Sequence, residues 1–399
     1  MTDIKYWIWL QLALGQGAHF LPILEGFENP QKLYESNILV WKMSTALTQK
    51  QIERLRSCTL DEAEKIIKEC EDNGWGIIAY DDIDYPERLR SISNPPAVIY
   101  TDGDIIDFDS FAVIAVVGTR KASGYAVKAS TIMSKGMANC GAIIVSGGAL
   151  GVDSAAHRGA MAAGGRTYAV LGCGFGTDYL KTNGDLRDEI KESGGALITE
   201  YPPFVPASKT TFPMRNRIIS ALSDGVLVVE AGVKSGSLIT ASHAAEQGRD
   251  IFAIPASIFD KNFQGSNKLI DDGAYVATSP ESVLLHYANK YTTLDMSRVK
   301  TPYELMTEKE EANAPEKKQV DFESIMLDRA ERVEMTRTAI ALGGDEKAVY
   351  NALSEDFQSI EDIIQKSAVP ARGVLVALTM LEMKGLVESA SGKRYRLKG

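Results

Sequence analysis

Short runs of β-branched residues recur through the middle of the chain, each followed by a helical stretch: Val113–Val117, Ile143–Ser146, Thr167–Leu171, Ala196–Thr199, Val226–Val229 and Ile251–Ile254. Each is bounded by glycine, proline or polar residues and has the length of a buried strand. Alternation of this kind leaves few solutions. It predicts an α/β fold in which a parallel sheet carries helices on both faces through right-handed crossovers. Ligands on such sheets sit beyond the carboxyl ends of the strands, so the segments that follow the strands are where function is expected.

Those segments share a chemistry. Phe212-Pro213-Met214-Arg215-Asn216-Arg217-Ile218-Ile219-Ser220 crowds two arginines and an asparagine where a helix should begin. A helix start offers backbone N–H groups and partial positive charge, and guanidinium groups add forked donors for phosphate oxygens. Ser235-Gly236-Ser237-Leu238-Ile239-Thr240 repeats the arrangement after the next strand. On this reading Arg215, Arg217, Gly236 and Ser237 line one edge and face a ligand with more than one phosphate, for which nucleic acid is the leading candidate. Gly118-Thr119-Arg120 places an arginine over the same edge. Lys209 lies three residues before Phe212, a spacing suited to gripping a single strand by charge and ring. Ser146-Gly147-Gly148-Ala149-Leu150-Gly151-Val152-Asp153 packs glycines before a helix but lacks both the dinucleotide spacing and the P-loop lysine. His157, one turn further on, reads as structural.

Bulk properties set limits. At 399 residues two or three domains are expected. A formal charge of −10 argues against a generally basic, nucleic-acid-coating protein but leaves room for a local basic pocket. Cys58, Cys70, Cys140 and Cys173 show no metal or redox spacing, which fits a reducing, cytoplasmic setting. The apolar opening Tyr6 to Leu14 is broken by Gln11 and lacks a cleavage site, so neither a signal peptide nor a membrane span is expected. No metal or cofactor is called for.

Four segments are expected. Residues 1–58 form a small helical, helix-hairpin-helix-like domain, with Trp41 in its core and a Gly15-Gln16-Gly17 turn. Residues 59–290 form the α/β domain, opened by a capping box at Thr59-Leu60-Asp61-Glu62 and a helix that ends near Asn73-Gly74. Gly76 to Tyr80 is a short strand, and the stretch from Tyr85 to Pro96 a connector. Residues 291–344 are a solvated linker, partly helical toward its end. Residues 345–399 show three helical patterns and a hairpin about Ala390-Ser391-Gly392, the pattern of a winged helix. Its third helix carries few bases, mainly Arg372 and Lys384; Lys393, Arg394, Arg396 and Lys398 lie on the hairpin.

The chain resembles the DNA-processing protein A (DprA/Smf) family. The resemblance rests on Val116-Val117-Gly118-Thr119-Arg120, Ser146-Gly147 through His157, Ala169-Val170-Leu171-Gly172, Thr199-Glu200-Tyr201-Pro202-Pro203, Phe212 to Ser220, Val229-Glu230-Ala231, Ser235 to Ala241 and Gly265-Ser266-Asn267-Lys268-Leu269-Ile270, in that order. It covers roughly residues 84–277, and the helical N-terminal piece and winged helix look like the family's accessories. It implies an extended Rossmann-like core that binds single-stranded DNA without marked sequence preference, a homodimer, and a RecA recombinase partner to which incoming strands pass in natural transformation. Carried over by motif, the gripping residues are Arg120, Lys209, Phe212 and Asn216, with the Ser146–Gly147 turn nearby. The segment from Ile270 to Leu285 is the expected site of the dimer and recombinase surfaces. Departures stand at Gly148 and Leu150, where the family tends to leucine and a basic residue, at Tyr179 to Asn183, and at Pro255-Ala256-Ser257.

Two other readings compete. Related Rossmann domains cleave nucleoside monophosphates with a glutamate in the turn that here reads Gly236-Ser237, but Thr240 stands at that glutamate's place. Glu230 is the nearby substitute, expected to orient Arg120 or Arg217 instead. A transcription regulator acting through the winged helix would prefer one duplex sequence.

Overall fold

The structure, a computed structural model, describes residues 2–177, 183–307, 342–354, 356–390 and 394–397. The chain divides into two compact units, Met1–Val320 and Asp321–Gly399.

The first unit is built on a nine-stranded sheet in the order β1-β2-β6-β5-β4-β3-β7-β8-β9. Its strands are β1 (Gly76–Ala79), β2 (Val98–Gly103), β3 (Val113–Val117), β4 (Ile143–Ser146), β5 (Thr167–Leu171), β6 (Ala196–Thr199), β7 (Gly225–Val228), β8 (Asp250–Ala253) and β9 (Tyr275–Val276). From β6 across to β9 every pairing is parallel; β1–β2 and β2–β6 are antiparallel. The central strands β3 to β7 are buried along their whole length, which explains their unbroken apolar reading. Helices Gly124–Asn139 and Val152–Ala162 pack against each other, as do Thr211–Ala221 and Ser237–Glu246.

Seven of the nine strand positions agree with the sequence reading to within a residue. β2 escaped it because an apolar run directly behind Pro95-Pro96 looks like the tail of a turn. β9 is two exposed residues and carries no periodic signal.

The helix Leu60–Asn73 opens on the predicted reciprocal cap between Thr59 and Glu62 and closes on Gly74 at φ +70°. The helix Ile4–Leu14 lies in the same core as the sheet: Trp7, Trp9 and Leu10 cluster with Val98, Tyr100 and Leu171. Gln11 is tolerated there because every polar atom of its amide is engaged. Its Nε2 donates to Val98 O (2.9 Å) and Glu200 O (3.0 Å), and its Oε1 accepts from the Tyr100 hydroxyl (2.9 Å). Trp41 is a core residue whose Nε1 donates to Leu33 O.

In the second unit, helices Gly344–Ala352, Ile360–Ser367 and Ala371–Met383 accompany a small sheet ordered β10-β12-β11, with β10 Gln358–Ser359, β11 Val387–Ala390 and β12 Arg394–Leu397. This is the expected winged helix around Val349, Ile363, Val374 and Leu378. The hairpin tip at Ser391-Gly392, Lys393, Lys398, the segment Tyr179 to Thr182 and most of the expected linker lie outside the described residues. No described helix is long and apolar enough to cross a membrane.

Candidate nucleic-acid interface

From β3 the chain proceeds through β4 and β5 to β6, then returns to place β7 on the other side of β3. Neighbouring crossovers therefore diverge at the carboxyl ends of β3 and β7, and a crevice must open between them. It holds a cavity of about 340 Å³ walled by Val117–Arg120, Ala149 and Asp153, then Phe212, Arg215, Asn216 and Ile219, then Ser235–Ser237 and Thr240.

The floor is a buried polar cluster. Arg215 donates through Nη1 to Gly147 O (2.9 Å) and to Val170 O. Asp153 accepts from Ala149 N at 3.3 Å. Burial pushes the Asp153 carboxyl up to about 6, against the opposing pull of Arg215. A Cβ on Gly147 would stand 2.7 Å from Asp153 Oδ2 and 2.8 Å from Arg215 Nη2, so only glycine lets these groups approach the turn.

At the mouth the character changes. Arg120 is exposed, and its guanidinium carbon lies 4.5 Å from the centre of the half-buried Phe212 ring. The ring rests against bare backbone: a Cβ on Gly172 would come within 2.9 Å of Phe212 Cδ1. Asn216 ties the helix Thr211–Ala221 to the start of the helix Ser237–Glu246, donating to Gly236 O (3.2 Å) while accepting from Arg215 Nε (3.2 Å). Lys209 is exposed just before the helix Thr211–Ala221. Neither Arg120 nor Lys209 forms an ion pair with a described residue. A planar cation on a ring, open to solvent, can offer donors to a phosphate and a flat face to a base.

The profile of the family described as DNA recombination-mediator protein A matches residues 76–288, and that of the DprA winged helix domain matches residues 333–393. The chain belongs to this family. It is 40% identical to the Bacillus subtilis DNA processing protein DprA over 219 residues, 55% of this chain and 73% of the relative. It is 39% identical to Escherichia coli Smf over 240 residues, 60% of this chain and 64% of Smf, so about a third of Smf lies outside the match. The crystal structure of DNA processing protein A from Streptococcus pneumoniae superposes at a TM-score of 0.62 with 35% identity, over 71% of this chain and 98% of that one.

This DprA-family crevice gathers Arg120, Phe212, Arg215, Asn216, Gly236 and Ser237, with Gly147 at its floor. Four expectations need correction. Arg217 is only 2% exposed and turns away from the crevice into an ion pair with Glu200. The helix begins at Thr211, so Arg215 and Arg217 lie beyond its first turn and face inward, where Arg215 supports the floor. Ser146 is fully buried, its hydroxyl donating to Val116 O at 2.6 Å. Glu230 orients neither arginine; it accepts from Ser123 N (2.9 Å) and Ser123 Oγ (2.7 Å), fixing the start of the helix Gly124–Asn139. Asp153 was the missed participant. An acid directly after a glycine-rich turn is a visible signal, but it reads equally as an ordinary helix-start carboxylate.

Proposed function

We propose that the crevice mouth binds single-stranded DNA without sequence preference, shields it, and passes it to a RecA-type recombinase in transformation or recombination. The carrying observation is the exposed Arg120 guanidinium lying on Phe212 in a chain whose net charge is −10. Family membership supports the same reading, since relatives are named for DNA processing. Phosphates lie against Arg120 and Lys209 and a base stacks on Phe212, while Arg215 and Asp153 hold the scaffold beneath. The protein acts as a homodimer, with the exposed β9 residues Tyr275 and Val276 and nearby Leu285 as the proposed contact, so that two mouths share one strand.

Binding rather than catalysis is the favoured activity. Thr240, where a phosphoribohydrolase turn places glutamate, is buried in the crevice wall as a neutral hydroxyl. Release of free base from nucleoside monophosphates or NAD would reverse that judgement. The regulator reading draws little support, because the third winged-helix helix exposes Leu375, Val376, Met380 and Met383.

The test is titration of oligo-dT and of duplex against the full chain, with and without RecA. Neutralising about three phosphates gives a slope of log K on log salt near −2, or roughly twentyfold weaker binding between about 50 and 200 mM salt. Joint replacement Arg120→Ala and Lys209→Ala should flatten that slope with the fold intact. An unchanged slope removes the groove from consideration.

A further inference from the structure

Among the large apolar side chains, Phe259 is 90% exposed, Ile258 77% and Val233 66%. All three stand on turns that follow β7 and β8, on the same carboxyl edge as the crevice. The β7 turn is tied to the head of the helix Gln264–Asp271 that follows the β8 turn: Gly265 N donates to Ala231 O at 2.7 Å, and Ser266 N to the same oxygen at 3.1 Å. The outer turn is held firmly. Phe259 N donates to Ser257 Oγ (3.3 Å), Asp260 N to Ser257 O (3.1 Å), and Asn267 clamps Ala256 through both its donor and its acceptor. A ring 90% exposed on a well-bonded turn adds almost nothing to the core. Its neighbours supply a charge. Lys234 and Lys261 are exposed and pair with no described carboxylate, while the nearby Asp260 carboxylate is engaged by Asn262 N at 2.9 Å.

A flat apolar face beside two lysines that outnumber the one adjacent carboxylate suits a polyanion that carries rings. β8 pairs directly with β7, so its turn leaves the carboxyl edge one strand beyond the turn that carries the Ser235–Ser237 wall of the crevice. We infer that the single-strand track continues from the crevice across β7 to the β8 turn, where Phe259 forms a second stacking platform and Lys234 and Lys261 take phosphates. This rests on the reading of the crevice as a single-strand site and extends it; nothing in the crevice itself requires it.

The test is fluorescence anisotropy of the full chain with dT oligonucleotides of about 4 and about 16 nucleotides, the span of known single-strand site sizes. Phe212→Ala should weaken both lengths. Phe259→Ala should weaken the longer by about five- to tenfold and leave the shorter unchanged. Phe259→Trp should retain affinity, with indole emission quenched by the longer oligonucleotide. Joint Lys234→Ala and Lys261→Ala should reduce the salt slope by about 1.4. If Phe212→Ala weakens both lengths and Phe259→Ala neither, the track ends at the crevice and the extension is wrong. A changed sedimentation mass in Phe259→Ala at unchanged DNA affinity assigns the patch to a protein contact and also overturns it. If the unaltered chain ignores both oligonucleotides, the crevice reading itself fails.

Discussion

The two ends of β3 and β7 each carry an arginine cluster, and they are finished differently. At the amino ends Arg88 is enclosed. Its Nε donates to Asp109 (2.9 Å), Nη1 to Asp224 (3.1 Å) and Leu222 O (3.0 Å), and Nη2 to Phe111 O (3.3 Å) and the Tyr291 hydroxyl (3.2 Å). Asp224 also accepts from Val113 N (2.9 Å), Lys290 (2.8 Å) and Tyr291 (2.6 Å). Burial alone would raise the Asp224 carboxyl, but Arg88 and these donors hold it below the usual range. At the carboxyl ends Arg120 rests on a ring and meets no described carboxylate. A cluster whose charges are matched internally staples strands together. One left unmatched at a surface is available to an outside anion. Residue type does not separate the two; the count of internal partners does.

The widest test of that contrast is Arg88→Ala. It leaves Asp224 buried with Lys290 as its remaining cation, and breaking a buried pair in this way costs about 3–5 kcal/mol. Denaturant unfolding should show the loss, while the folded fraction binds oligo-dT as before. Weakened binding by that folded fraction would mean that the two ends are coupled. Phe212→Ala should do the reverse: affinity for oligo-dT falls by about 1–3 kcal/mol in a titration, with an unchanged unfolding midpoint. A drop in midpoint of the size expected for Arg88→Ala would recast Phe212 as core.

The same contrast marks what could be read from residues alone. Strand runs such as Val113–Val117 announce themselves because burial on both faces demands unbroken apolar sequence, and the order of strands then puts the crevice after β3 and β7. The mouth was legible for the same reason, since Arg120, Phe212 and Asn216 follow strand ends. The direction of each side chain was not. Arg215, Asn216 and Arg217 are consecutive, yet the helix turns them successively toward the floor, the neighbouring helix start and Glu200. Glu200 is 17 positions from Arg217 in sequence, so their pairing depends on where β6 ends and could not be counted from spacing. Phe259 sits in a turn without periodicity, where sequence gives no measure of exposure.

The finest distinction concerns two buried titratable groups on the helix Val152–Ala162. Burial raises Asp153 to about 6 and lowers His157 to about 3. The Thr167 hydroxyl, 2.7 Å from His157 Nδ1, donates its one proton to Ile144 O, so Nδ1 carries the imidazole hydrogen. Between about pH 4 and 6 the folded chain holds a proton on Asp153 that the unfolded chain has released, so this group makes stability rise as pH falls. Below about pH 6.5 the unfolded chain protonates His157 and the folded chain does not, so stability falls as pH falls. Each slope is about 1.4 kcal/mol per pH unit, and in the shared window they oppose each other. Asp153→Asn should expose the histidine term: unfolding free energies measured from about pH 6 to 4 should decline by about 1.4 kcal/mol per unit relative to the unaltered chain. Glu200, also raised by burial, is common to both proteins and drops out of that difference. The unaltered chain should also gain oligo-dT affinity below about pH 6, as protonation removes the negative charge from the crevice floor, and the asparagine variant should not. Parallel stability curves for the two proteins would show that Asp153 stays ionised, matched by Arg215, and that the carboxyl ends are finished much as the amino ends are.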